Sequence, residues 1–256
     1  MRAIVLTSDS QRHAYFAETV ASHFELLGVI KEYKGDYYSS EHCASAPMSA
    51  HFEALRNTEH AFFGEACWPS VPMLELSKES INDQDSVAWA VDLRPDVVFL
   101  FGTSILNEEW LGIFPQRIIN LHLGMSPYYR GAATLFWPLA NNEPECVGGT
   151  IHLAEKLVDA GRMLARIKPT LLPGDNYYTI NYKTIKKIID ALPDIAMRYF
   201  RGEIEPMAQD LRQGKVYRKA DFNEDALSRA LSVIGDGLSE QQLDEIKASK
   251  KCGCSS

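Results

Sequence analysis

The chain has 256 residues, 46% hydrophobic and 23% charged, which suits one large soluble domain, or one domain with a modest extension. Its net charge of −8, from 34 acidic and 26 basic residues, argues against a broad nucleic-acid surface, which needs clustered Lys and Arg. No apolar run approaches the roughly 18 residues that span a bilayer. The opening MRAIVLTSDSQRH reads as a strand, not a secretion signal, so a cytoplasmic protein that handles a small molecule is expected, with neither nucleic acid nor membrane as partner.

Residues 3–7 and 26–30 are short apolar runs separated by a helix-length segment, 11–24, which is a βαβ opening. The glycine-rich turn of a dinucleotide site is absent: Ser8-Asp9-Ser10-Gln11-Arg12 stands where G-x-G-x-x-G would follow the strand. Residues 33–47 read as a loop. The stretch MSAHFEALRNTEHAFFG then shows helical spacing, a segment that packs over the sheet or the substrate. A strand at 72–76 and a helix at 86–93 lead to Val97-Val98-Phe99-Leu100-Phe101, a continuous apolar run typical of a central parallel strand. NEEWLGIF is the next helix and 117–121 the next strand. A short helix at 134–140 follows, then strands at 147–153 and 164–167 around a loop holding Asp159 and Gly161. The span 178–200 carries a long amphipathic helical pattern. Beyond about 203 the segments are short and polar: Val216-Tyr217, then helices near 223–234 and 239–249. The expected fold is α/β, a Rossmann-like, open, mostly parallel sheet with helices on both faces. Residues 1–202 form its main domain, and 203–256 a small C-terminal appendage with a disordered tail.

The five cysteines, Cys43, Cys67, Cys146, Cys252 and Cys254, have no disulfide-like spacing, so reduced thiols are expected. His42, Cys43, His51, His60 and Cys67 match no zinc pattern, and no metal is expected.

The chemistry gathers at INLHLGMSPYYRG. Open parallel sheets bind ligands beyond the carboxyl ends of their strands. Asn120 and His122, two apart at such an end, point the same way. An amide and an imidazole side by side can donate to a developing oxyanion, and the imidazole can also move a proton. If Asp159 folds back onto His122, its carboxylate raises the imidazole pKa and fixes the ring. No serine or cysteine stands as an obvious nucleophile, so direct transfer is favoured over an acyl-enzyme.

The ordered set N-x-H, Ser126-Pro127, Arg130-Gly131, then GGTIHLAEKLVDAGRML resembles the core of the 10-formyltetrahydrofolate-dependent formyltransferases. The likeness is clear over 95–175 and extends over 1–200. It implies the formyltransferase fold, with Asn120, His122 and Asp159 as catalytic residues. It also implies a pterin held against main-chain groups at Phe101, Gly102, Thr103, Ile105 and Leu106 and on the loop with Glu155 and Val158. Ser126, Tyr128, Arg130 and Gly131 fall on the acceptor side, and His152 is either a site residue or a structural one. In that family an acceptor amine attacks the formyl carbon of 10-formyltetrahydrofolate while asparagine and protonated histidine stabilise the oxyanion. The missing phosphate loop disfavours glycinamide ribonucleotide. The short stretch after 203 and the acidic charge disfavour tRNA, and the regulatory domain of formyltetrahydrofolate hydrolases is not expected ahead of the first strand. In layout the chain is most similar to sugar N-formyltransferases acting on a nucleotide-linked amino sugar; Tyr128, Tyr129, Phe136 and Trp137 either stack on it or are core aromatics of a turn and a short helix. Alternatives are another small amine, hydroxyornithine-type or glycinamide ribonucleotide, a formyltetrahydrofolate hydrolase, and a folate-binding module without turnover. The segments near 40–70 and the C-terminal extension are candidate homodimer contacts.

Overall fold

The structure is a computed structural model and describes residues 1–33, 45–249 and 252. In chain order its elements are β1 (Arg2–Thr7), α1 (Gln11–His23), β2 (Glu25–Glu32), α2 (Ala46–Phe63), β3 (Met73–Leu76), α3 (Gln84–Asp92), β4 (Val97–Phe101) and α4 (Glu108–Ile113). There follow β5 (Ile118–His122), β6 (Tyr129–Gly131), α5 (Phe136–Ala140), β7 (Gly149–Leu153), β8 (Met163–Ile167), α6 (Tyr177–Phe200), β9 (Lys215–Tyr217), α7 (Glu224–Ile234) and α8 (Glu240–Ala248). Most of the loop expected at 33–47 lies outside the described residues.

Seven strands form one sheet in the order β3-β2-β1-β4-β5-β7-β8. The first five are parallel, whereas β5–β7 and β7–β8 pair antiparallel. The expected mostly parallel, open α/β sheet is the one that forms. Strand alternation divides the core into two layers. Ala3, Val5, Phe99, Ile119 and Leu121 face α1, α2 and α6, while Ile4, Leu6, Val98, Leu100 and Ile118 face α3 and α4. Trp110 anchors the second layer, fully buried, with its indole Nε1 donating to Ile81 O at 3.0 Å. Burying one side chain of that size stabilises the fold by about 2–3 kcal/mol. The long helix α6 starts at Asn176, whose side chain accepts from the backbone N–H of Tyr178 and Thr179, a cap worth about 1 kcal/mol.

The helix read within the 33–70 stretch forms as α2, and it packs on α6. His51 is buried there among Phe52, Tyr177, Tyr178 and Phe222. Burial pushes its pKa down to about 4, so the ring is a neutral packing group. No helix among the described residues is long and apolar enough to cross a membrane.

Residues beyond 203 add no second core but enter the first: Tyr217, Phe222, Leu227, Ala230 and Ile234 are buried with the α6 layer. β9 runs parallel to β6 as a two-stranded sheet that sequence periodicity did not reveal. The ring of Tyr217 lies between Tyr129 and Trp137, stacked on both, with centroids 5.7 and 4.6 Å away. Cys146 and Cys252 are joined by a disulfide, Cα atoms 5.2 Å apart, which corrects the expectation of reduced thiols for this pair. Cys252 is thereby fixed and buried, not part of a loose tail, and its neighbours 250–251 and 253–256 lie outside the described residues. At 106 residues' separation the partners carry no spacing signal.

Candidate active site

The chain leaves β1 toward β2 and β3 on one side and resumes with β4 and β5 on the other, so the sheet reverses its winding between β1 and β4. Loops at such a point diverge and leave a crevice at the strands' carboxyl ends. Gly102, just past β4, has φ +78, and a Cβ there would sit 2.8 Å from the ring of His13 on α1. A side chain there would need both an unusual backbone conformation and a shift of the His13 ring.

β5 points Ile119 and Leu121 into the α6 layer, which turns Asn120 and His122 together to the other face. Asn120 remains partly exposed, whereas His122 is 6% exposed. In the β5–β7 ladder Asn120 lies opposite His152 and His122 opposite Thr150. His152 Nδ1 lies 2.8 Å from Leu153 O and must donate there, because a carbonyl only accepts. In the neutral ring, Nε2 then accepts from Asn120 Nδ2 at 2.9 Å. One amide proton of Asn120 is fixed in this way, and the second has no partner among the described residues and can meet a developing oxyanion. His152, left open between two roles by its sequence, is held as the partner of Asn120.

Asp159 does fold back onto His122. Its Oδ1 lies 3.3 Å from His122 Nδ1 and 3.8 Å from His152 Nε2, and its Oδ2 accepts the Gly131 N–H at 2.9 Å. The residue sits at φ +50, an unusual backbone for a non-glycine residue. Desolvation alone would raise the Asp159 pKa, but His122, His152 and the Gly131 N–H outweigh it and hold the carboxyl at about 2.

His122 donates from Nε2 to Tyr129 O at 2.9 Å, so both ring nitrogens face acceptors. Burial is the largest influence and lowers its pKa; Asp159 and Tyr129 O push the other way without overcoming it. Asp159 thus raises the imidazole pKa as the sequence suggested, but the desolvation of an enclosed ring, which the sequence does not show, outweighs it. The resting ring is therefore neutral at neutral pH. A proton arriving at Nδ1 would face a carboxylate and turn a lone-pair repulsion into an ion pair, which suits a group that gains a proton during reaction.

Ser126 is completely buried, its N–H on Thr150 Oγ1, and the Ser126–Pro127 peptide is cis. Arg130, 8% exposed, donates to Pro127 O and Leu211 O, so it braces the turn from inside. Gly131 has φ +92, and a Cβ would lie 2.3 Å from Tyr217 O, so its place in the motif is steric as well as hydrogen-bonding. Tyr128 is half-buried with Arg166 over its ring, whereas Tyr129, Phe136 and Trp137 are core aromatics.

Phe101 is buried against His13 and Phe16, and Leu106 packs in the α4 layer, so these two can offer only main-chain groups to a ligand. Gly102 and Thr103 are partly exposed. Ile105 keeps 65% of its surface exposed, and Leu157 and Val158 on the later loop keep 62% and 38%. The loops are tied by an ion pair between Lys156 and Glu108, while Glu155 pairs with Arg162. Glu32, which no sequence signal picked out, supports the crevice from below. Its fully buried carboxylate accepts the N–H of Ser104 at 2.6 Å and of Glu79 at 2.8 Å.

Solved structures of similar fold include the formyltransferase PseJ from Anoxybacillus kamchatkensis, in complex with UDP-4,6-dideoxy-4-formamido-L-AltNAc and tetrahydrofolate. It is 17% identical, with TM-score 0.51 over 86% of this chain and 87% of that one. Phosphoribosylglycinamide formyltransferase from Anaplasma phagocytophilum is 14% identical, with TM-score 0.58 over 85% and 99%. The Helicobacter canadensis N-formyltransferase in complex with folinic acid and dTDP-3-aminofucose is 14% identical, with TM-score 0.56 over 91% and 81%. These likenesses establish the fold. Residues 19–195, a span holding Asn120, His122 and Asp159, match the family described as formyl transferase, and the chain belongs to that family.

Proposed function

We propose that this protein transfers the formyl group of 10-formyltetrahydrofolate to the primary amine of a small molecule, a nucleotide-linked amino-deoxy sugar. The observation that carries the reading is the convergence of Asn120, His122 and Asp159 at the end of β5 in a formyl transferase chain. The amine nitrogen forms a bond to the formyl carbon, the carbon's bond to the folate nitrogen breaks, and tetrahydrofolate leaves with a proton. The free amide N–H of Asn120 meets the oxyanion. His122 takes up the proton the amine sheds, and Asp159 holds the ring once it is charged. Exposed apolar Ile105, Leu157 and Val158, beside the main chain of 102–106, suit the flat, partly apolar pterin.

Two of the similar folds hold sugar nucleotides, and one is a phosphoribosylglycinamide formyltransferase, so fold alone does not choose the acceptor. The first turn of α1 favours the sugar. A helix N-terminus is the natural seat for a phosphate, but here Glu59 of α2 occupies it. Its Oε1 accepts Arg12 N at 3.1 Å and its Oε2 takes the Arg12 guanidinium at 2.5 Å. A thermal-shift titration tests the reading. Stabilisation by 5-formyltetrahydrofolate together with a UDP-, dTDP- or GDP-linked amino sugar is expected. A response to glycinamide ribonucleotide instead would overturn the choice of acceptor, and silence toward the folate would overturn the reading itself.

A further inference from the structure

We propose that Gln209 is a positioning residue for the Asp159–His122 pair, an inference that rests on the reading of that pair as the proton-handling element. Gln209 lies beyond residues 19–195, in the extension that sequence reading set apart from the main domain. Its Nε2 donates to the carbonyl of Asp159 at 3.0 Å and to that of Gly161 at 2.6 Å. It thus grips the two ends of the Asp159-Ala160-Gly161 stretch, the first of which, Asp159, sits at φ +50. A non-glycine residue keeps such a backbone only where its surroundings over-determine it. The other hydrogen bond to the Asp159 carbonyl, from Ser126 Oγ, is long at 3.5 Å.

The orientation of the Gln209 amide follows from the chemistry. Two carbonyl oxygens face it and both need a donor, so the nitrogen must point at them. The opposite end, Oε1, is buried and accepts no hydrogen bond among the described residues. A buried acceptor without a partner is destabilising, so the amide is not placed there for stability alone. Its neighbours fix it from both sides. Met207 pairs with Met163 of β8 by backbone hydrogen bonds of 2.8 Å each way, and Leu211 O accepts Arg130. The 207–217 segment is therefore the wall that presses the Asp159 turn toward β5, and Gln209 is its contact with the pair.

The test reads the His122 ring directly and needs no acceptor. The groups facing His122 are Asp159, His152, Arg130 and the Tyr129 carbonyl. Imidazole ¹⁵N shifts are followed against pH in the wild type, Asp159→Asn, Gln209→Met and the double variant. Methionine keeps the length of glutamine without its N–H; Gln209→Ala serves as a second variant if Gln209→Met folds poorly. Loss of the carboxylate in Asp159→Asn lowers the His122 midpoint by about one pH unit. Gln209→Met reproduces roughly half of that fall and adds nothing further in the Asp159→Asn background. If Asp159→Asn moves His122 and Gln209→Met does not, or if Gln209→Met shifts it equally in both backgrounds, the positioning role is overturned. If Asp159→Asn itself leaves His122 unmoved, the reading of the pair falls first, and the proposal with it.

Discussion

Gly161, the last residue of the D-x-G motif, tests how tightly the site is built. A Cβ at this position would lie 1.8 Å from Leu153 O and 3.1 Å from His152 Nδ1. Carbon and carbonyl oxygen in ordinary contact stand roughly 3.3 Å apart, so Gly161→Ala must push the two chains apart by about 1.5 Å. The Leu153 peptide cannot yield freely. Its oxygen holds His152 Nδ1 at 2.8 Å and its N–H donates to Arg162 O at 3.0 Å. Losing both bonds removes about 1 kcal/mol each, and overpacking adds about 1–3 kcal/mol. A loss of about 3–5 kcal/mol is expected, a large share of the roughly 5–15 kcal/mol that a domain has. Gly112, in α4, has nothing within 4 Å of a Cβ. Gly112→Ala should therefore gain about 0.5–1 kcal/mol from helix propensity. Urea unfolding followed by tryptophan fluorescence compares the two. A Gly161→Ala loss below about 1 kcal/mol, or equal losses in both variants, would refute the steric reasoning.

His122→Ala and Asp159→Asn should each lower turnover by about two to four orders of magnitude, as removal of a proton-transfer or oxyanion group does; near-normal rates in either would contradict the assignment. The pH profile carries a sign. Burial holds His122 below its ordinary 6.5, so a rate that needs the neutral ring falls only as pH drops through that lowered value. Asp159→Asn removes a group that raises the pKa and moves the limb lower still, whereas a limb above 6.5 in the wild type would speak against the neutral resting ring. Glu32→Ala frees Ser104 N and Glu79 N and should weaken 5-formyltetrahydrofolate binding by roughly tenfold, the equivalent of about 1.4 kcal/mol. Calorimetric titration measures this, and unchanged affinity would remove the 102–106 loop from the folate site.

Much of this architecture was legible because periodicity records burial. Val97-Val98-Phe99-Leu100-Phe101 is buried on both faces and reads as a central strand, and the α6 pattern reads as one covered face. The strand end with Asn120 and His122 was legible because polar side chains interrupt an apolar strand at the position where α/β sheets bind ligands. What escaped depends on residues far apart in the chain. β6 has three residues, and its strand character comes from β9. Gln209, Glu32 and the Cys146–Cys252 bond likewise join distant segments, so neither spacing nor composition marks them. The net direction of the His122 pKa escaped for a related reason: the carboxylate that raises it is visible in a motif, whereas the enclosure of the ring, which lowers it further, is not.

The most direct measurement mixes the protein with 10-formyltetrahydrofolate and a panel of UDP-, dTDP- and GDP-linked amino sugars, and follows tetrahydrofolate and the formamide product together. The expected result is matched formation of both with one sugar class, abolished to within background by Asp159→Asn. Tetrahydrofolate and formate released without any amine product, or formamide formed equally well by Asp159→Asn, would contradict formyl transfer at the Asn120–His122–Asp159 site.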